Sequence, residues 1–144
     1  VKEELLPELH TSIARAVEGI GPFRIHLKGT GVFPDYRRPR VLWIGIEESS
    51  GLSAIHEKTE DALARLGFQR ETRPFNPHLT AGRIKSPRDI QEVLRGWRGH
   101  KGVDFGKIDV SEIHLMKSTL KPTGAEYESL YTIKLNEGGL DGKG

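Results

Sequence analysis

Cysteine is absent from the 144 residues, which excludes a disulfide scaffold, a thiol nucleophile and thiolate metal sites. No apolar run approaches the roughly 20 residues that a membrane span needs, and no secretory leader pattern opens the chain. A soluble, cytoplasmic protein is therefore expected. A strong charge bias is also missing: 22 Lys and Arg stand against 20 Asp and Glu, for a net charge of +2. Bulk charge gives only a slight preference for an anionic partner. No G-x-S-x-G elbow is present, so a serine nucleophile is set aside. Gly29-Thr30-Gly31 lacks the lysine and the length of a phosphate-cradling loop and reads as a turn. The chain begins with Val1 rather than methionine, already within a helical pattern, which reads as a processed or truncated start. What remains is long enough for one domain, or one two-lobed unit, with a real core.

The apolar spacing of Leu5, Leu6, Leu9, Ile13, Val17 and Ile20 predicts an amphipathic helix over 2–20, stopped by Gly19 and Gly21-Pro22. Residues 23–28 alternate apolar and polar, predicting a strand that Gly29-Thr30-Gly31 breaks. Residues 33–39 read as a loop. The nearly continuous apolar run 41–47 predicts a strand covered on both faces. A helix capped by Ser49 or Ser50 is expected to reach Leu66, then a short strand over 77–84. Ser86-Pro87 reads as the start of a helix carrying Ile90, Val93, Leu94 and Trp97. Strands follow around 105–110, 113–117 and 127–135, and residues 136–144 read as a flexible tail beyond a domain spanning 1–135. Adjacent strand pairs among the helices favour an α+β fold over a doubly wound sheet. The element order hints at an internal duplication, one lobe complete and the first lacking its opening.

Chemistry concentrates in Phe75-Asn76-Pro77-His78-Leu79-Thr80-Ala81-Gly82-Arg83. On a strand, His78, Thr80 and Gly82 share one face while Leu79 and Ala81 take the other. An imidazole that can carry a proton and a hydroxyl then stand about 7 Å apart. Arg83, just beyond, can curl toward them with a fork suited to phosphate oxygens. A polar, solvent-facing strand is the equally weighted alternative. His78 has no carboxylate or second histidine at ligand spacing, so no metal site is expected.

His78-Leu79-Thr80-Ala81 resembles the HxTx signature of the 2H phosphoesterases, and its surroundings are similar to the second signature of the RNA 2′,3′-cyclic phosphodiesterases, also called 2′-5′ RNA ligases. Gly29-Thr30-Gly31-Val32-Phe33-Pro34, Arg40-Val41-Leu42-Trp43-Ile44-Gly45, and Leu115 with Ser118-Thr119-Leu120 through Gly124 to Tyr127 fit the same family in the same order. The resemblance implies a bilobal α+β fold in which two sheets form a central cleft with helices outside, each lobe carrying one HxT. It implies metal-independent, cofactor-free hydrolysis of RNA 2′,3′-cyclic phosphate ends to 2′-phosphomonoesters by paired histidines. His78 would be the catalytic base or acid, and Thr80 and Arg83 would bind the phosphate. No other histidine (His10, His26, His56, His100 or His114) has threonine two places on. The family's first motif lies upstream of a helix like 2–20, so this chain is expected to lack that segment and to be weak or inactive by itself. The alternatives are a non-catalytic RNA-end or nucleotide-binding module and a 2′-5′ RNA ligase.

Secondary candidates surround this motif. His26, with Arg24 and Lys28 on its strand face, reads either as part of a basic wall for an RNA backbone or as a solvated face. His114 shares a face with Met116 and, if the strand continues, Ser118. His26 and Ser118 join Thr80 and Arg83 as substrate-binding candidates. His10, His56 and His100 read as surface residues, and Phe33 and Trp43 more as core than as stacking platforms. Arg37, Arg38 and Arg40 around Tyr36 and Pro39 suit single-stranded RNA, with a solvated loop nearly as good a reading. The expected partner is RNA with 2′,3′-cyclic phosphate ends, possibly tRNA halves, met by a monomer without membrane contact.

Overall fold

The computed structural model describes residues 2–86 and 88–136. A 3₁₀ turn (Glu3–Leu5) leads into α1 (Leu6–Ala16), followed by β1 (Phe23–Phe33), β2 (Val41–Ile46), α2 (Ser50–Arg65), β3 (His78–Arg83), α3 (Gln91–Gly99), β4 (Asp104–Val110), β5 (Glu112–Lys121) and β6 (Gly124–Lys134). The fold is α+β, with a four-stranded sheet in the order β3-β2-β1-β4 and a two-stranded sheet of β5 and β6. Two compact units contain these elements. One comprises 2–23, 50–74 and 110–136 of the described residues, the other Arg24–Ser49 and Phe75–Asp109.

In the first unit, Ile13, Val17, Ile133 and Leu135 form a buried cluster, with Ile20, Ile55, Leu63 and Leu115 packed on it. Pro7 lies in the first turn of α1, where its missing N–H costs nothing. The helix ends at Ala16, one turn earlier than the apolar spacing predicts. Gly19 adopts φ +90° and reverses the chain, while Val17 and Ile20 still reach the core from the closing turn. Helical periodicity therefore outlasts the helix. The β5–β6 hairpin is longer than the alternation suggests: β5 runs on to Lys121, which pairs with Gly124. Ser118 is consequently a strand residue, opposite Tyr127. Of the expected tail over 136–144, all but Asn136 lies outside the described residues.

The second unit holds the four-stranded sheet, antiparallel from β1 through β3. The predicted break at Gly29-Thr30-Gly31 does not occur. The strand bulges there instead, with a register shift between Leu27 and Thr30. Gly29 supplies φ +81°, and any Cβ on it would lie 2.9 Å from the Lys101 carbonyl oxygen. Glycine here permits a kink and a close backbone approach without ending the strand. β2 is half-exposed along its whole length rather than covered on both faces. α3 joins β1 through two bonds: the Thr30 hydroxyl donates to the Trp97 carbonyl at 2.6 Å, and the Trp97 indole N–H donates to the Gly31 carbonyl at 2.8 Å. That helix begins at Gln91, not at Ser86. The Ser86 hydroxyl accepts the Arg88 N–H in a turn ahead of it, and Pro87 lies outside the described residues.

Candidate active site

Cross-strand register defines which side chains share the open face of the four-stranded sheet. Gly31 pairs with Trp43, and Trp43 with Thr80; Gly45 pairs with His78. Directly opposed residues point the same way, so Gly31, Phe33, Trp43, Thr80 and His78 share one face. Thr30, Ile44 and Leu79 take the other, where Thr30 meets α3. The expectation that His78 and Thr80 lie side by side holds. Gly82 does not join them.

Between Leu42 and Trp43 the register steps from Gly82 to Thr80, leaving Ala81 as an extra residue on β3. One inserted residue inverts the alternation beyond it. Gly82 therefore moves to the α3 side, and Arg83, opposite Val41, lands on the face of His78 and Thr80. All three are exposed. Together they can carry a proton, donate a hydroxyl hydrogen bond and offer a planar cation, the set that a tetrahedral or pentacoordinate phosphorus requires.

The His78 ring is fixed in direction. Its Nδ1 lies 2.9 Å from the Asn76 carbonyl oxygen, which can only accept, so Nδ1 carries the hydrogen. In the neutral ring Nε2 is then the proton-accepting atom. The Phe33 ring stands edge-on to His78 at 4.9 Å between centroids, and Trp43 lies 6.4 Å away. Phe33 and Trp43 are themselves 5.4 Å apart. A reading of these two as core is incomplete: Phe33 is 39% exposed, and the pair forms an aromatic wall beside the imidazole. The register of β1 on β2 and of β2 on β3 is the signal, visible only once strand pairing is known. Gly31 makes room for the wall, since a Cβ there would fall 2.1 Å from Trp43 Cζ2.

His26 alternates onto the same face, as do Arg24 and Lys28, but they do not form a bare basic wall. His26 Nδ1 is 2.7 Å from Glu47 and Nε2 is 2.8 Å from Asp104. Arg24 binds Asp109 at 2.8 Å, and Lys28 lies 3.8 Å from Glu47. The hydrogen bond to Asp104, more than the attraction of Glu47, holds the His26 pKa above its ordinary 6.5 against desolvation. The same bond holds the Asp104 carboxyl below its ordinary value.

Ser118 belongs to the other unit, exposed on β5. By alternation it shares a face with His114, whose Nδ1 has the Ser129 and Thr132 hydroxyls at 2.9 and 3.2 Å. Of the histidines read as surface residues, His100 is exposed, whereas His10 is half-buried and stacked on Tyr131 at 4.2 Å. His56 is half-buried as well.

With this geometry in hand, comparison with known proteins gives a consistent result. The family model of the 2′-5′ RNA ligase superfamily matches residues 1–122. The chain belongs to that superfamily. An RNA 2′,3′-cyclic phosphodiesterase from Aeropyrum pernix is 38% identical over 118 residues, which is 81% of this chain and 67% of the relative. The Thermotoga maritima enzyme of the same name is 35% identical over 142 residues, covering 97% and 72%. Among solved structures, a Thermus thermophilus protein superposes with a TM-score of 0.76 at 29% identity, covering 96% of this chain and 74% of its own. Escherichia coli LigT complexed with 3′-AMP has the same fold, with a TM-score of 0.68 at 23% identity over 94% and 71%. The superfamily match includes both the aromatic wall and the His78–Arg83 strand.

Proposed function

We propose that this chain carries one histidine half-site for metal-independent hydrolysis of RNA 2′,3′-cyclic phosphate ends to 2′-phosphomonoesters. The observation that carries the reading is the bulged β3, which brings His78, Thr80 and Arg83 to one face with His78 Nε2 as the proton acceptor. The phosphodiesterase relatives, 38% and 35% identical, support the substrate class. Nε2 takes a proton from water as its oxygen bonds to phosphorus. The Thr80 hydroxyl donates to a non-bridging oxygen, and Arg83 balances the charge gathered there. The bond from phosphorus to the ribose 3′ oxygen breaks, and that oxygen needs a proton from a second group. His26, with both ring nitrogens facing carboxylates, braces β1 against Glu47 and Asp104 and offers no free nitrogen to the substrate.

The second reading, a module that binds RNA ends without turnover, has one observation in its favour: only one HxT occurs in the chain. The two readings separate in a single assay. An RNA oligomer ending in a 2′,3′-cyclic phosphate is incubated in chelator with this chain or its His78→Ala variant, and products are resolved by chromatography. A 2′-phosphate product that falls about 10²–10⁴-fold in the variant supports the enzyme. No turnover by either protein, with weaker binding by the variant, supports the binding module.

A further inference from the structure

The loop between β1 and β2 presents Tyr36, Arg37, Arg38 and Arg40 in a fixed shape. Asp35 accepts the backbone N–H groups of Arg37 and Arg38 at 2.9 and 3.0 Å, so its carboxylate is engaged in folding the loop. The Arg98 guanidinium lies over the Tyr36 ring at 4.1 Å, a preassembled cation–aromatic platform. Beside it opens a cavity of about 360 Å³, lined by Tyr36, the three arginines, Lys85 and Leu94 among others, and a hollow of about 200 Å³ adds Arg95 and Arg98. Among the described residues, no aspartate or glutamate lines either space. None of these six cations is ion-paired among the described residues, whereas Arg24, His26 and Lys28 each face a carboxylate. The local excess is larger than the net charge of the whole chain, +2.

This arrangement has a defined place relative to His78. The Ile84 N–H donates to the Arg40 carbonyl at 2.9 Å, which ties the loop to the end of β3 away from the histidine. Six steps along the strand, from His78 to Ile84, separate the two, roughly 17–20 Å. That distance spans several nucleotides. Unpaired cations beside an aromatic platform match a single-stranded backbone whose bases can stack.

We propose that the 36–40 loop, with Lys85, Arg95 and Arg98, is a second binding site, one that holds the body of a single-stranded RNA upstream of the end presented to His78. The assignment of that end rests on the function proposed above; the binding site itself does not. Fluorescence anisotropy with 5′-labelled RNAs that end in a plain 3′-hydroxyl tests it without any chemistry. The wild-type chain should bind an octamer more tightly than a dimer. Arg37→Glu/Arg38→Glu/Lys85→Glu should raise the octamer Kd by at least about tenfold and lower the steepness of its salt dependence by roughly two units, while Lys58→Glu, a charge reversal at an exposed position of α2, leaves octamer binding within about twofold. The milder Arg37→Ala/Arg38→Ala, at exposed positions, should shift Kd in the same direction with an unchanged melting temperature. Octamer binding that survives both loop variants, or that falls as far with Lys58→Glu as with the loop variants, overturns the proposal. Equal affinity for a poly-aspartate peptide overturns the choice of RNA. Octamer binding through the loop together with no hydrolysis of cyclic-phosphate ends would refute the enzyme and leave this site standing.

Discussion

Gly31 sits beneath the Trp43 ring, and adding one methyl group there should disturb the whole aromatic wall. A Cβ at this position would lie 2.1 Å from Trp43 Cζ2, 2.3 Å from Cη2 and 2.7 Å from Cε2. Ordinary van der Waals contact begins at 3.4 Å, so the rigid indole must retreat by about 1.3 Å. Its retreat is confined, because Phe33 and His78 stand on its flanks. The Trp43 Nε1 lies out of solvent with no hydrogen-bond partner among the described residues, so packing rather than a polar anchor holds the ring. The cost of Gly31→Ala is therefore one of overpacking, about 1–3 kcal/mol. For a chain of this size that lowers Tm by roughly 3–10 °C.

Thermal melts followed by circular dichroism read the loss, and the two indole N–H resonances locate it. The Trp43 signal should move strongly. The Trp97 signal should keep its hydrogen-bonded position, because its acceptor is the Gly31 carbonyl, which the substitution retains. Gly82→Ala is the control: nothing lies within 4 Å of a Cβ there, and Tm should stay level or rise slightly. If the chain hydrolyses cyclic-phosphate ends, a displacement of this size next to the imidazole should also lower turnover, by up to about 10²-fold. An unchanged Tm and an unmoved Trp43 resonance in Gly31→Ala would refute the packing argument.

Two further perturbations test the support of the sheet. His26 has its pKa raised, so its contribution to stability is complete below the ordinary 6.5 and declines as pH rises through the folded-state value; Asp104, with its pKa lowered, contributes above the ordinary carboxylate value of 3.8 and loses that contribution as pH falls through its own. His26→Asn should thus flatten the fall of Tm as pH rises from 6.5, and a slope identical to wild type would count against the ion pairs. Thr30→Val keeps the shape of a residue only 5% exposed but removes its 2.6 Å bond to the Trp97 carbonyl, which retains the His100 N–H at 3.1 Å. Chemical denaturation should show a loss of about 1 kcal/mol, and a loss beyond about 3 kcal/mol would mean the carbonyl is left without a partner.

Element types were legible because periodicity survives in single sequence: β3, α2 and residues 23–28 of β1 follow their patterns. The HxT face was legible for the same reason. What could not be read depends on partners far apart in the chain. The basic stripe of Arg24, His26 and Lys28 gives no sign that Glu47, Asp104 and Asp109 will fold against it. Phe33 and Trp43 are apolar, and apolarity alone points inward; only their register with β3 places them beside His78. Gly29-Thr30-Gly31 carries the composition of a turn, yet its neighbours on both sides continue the strand, and pairing with β2 wins over local preference.

The position of Arg83 shows how far a one-residue irregularity reaches into the chemistry. Counting from His78 with strict alternation puts Arg83 behind the sheet, on the side where Thr30 meets α3. A guanidinium there would lie on the opposite face of the sheet, away from any phosphate held by His78 and Thr80. The extra residue at Ala81 reverses this, and it also sends Gly82 to the opposite face. The arginine therefore reaches the site through the ladder's geometry, not through a flexible curl past its end. Two residues between Thr80 and Arg83 suffice for three groups to meet on one face only because one of those residues is left out of the pairing.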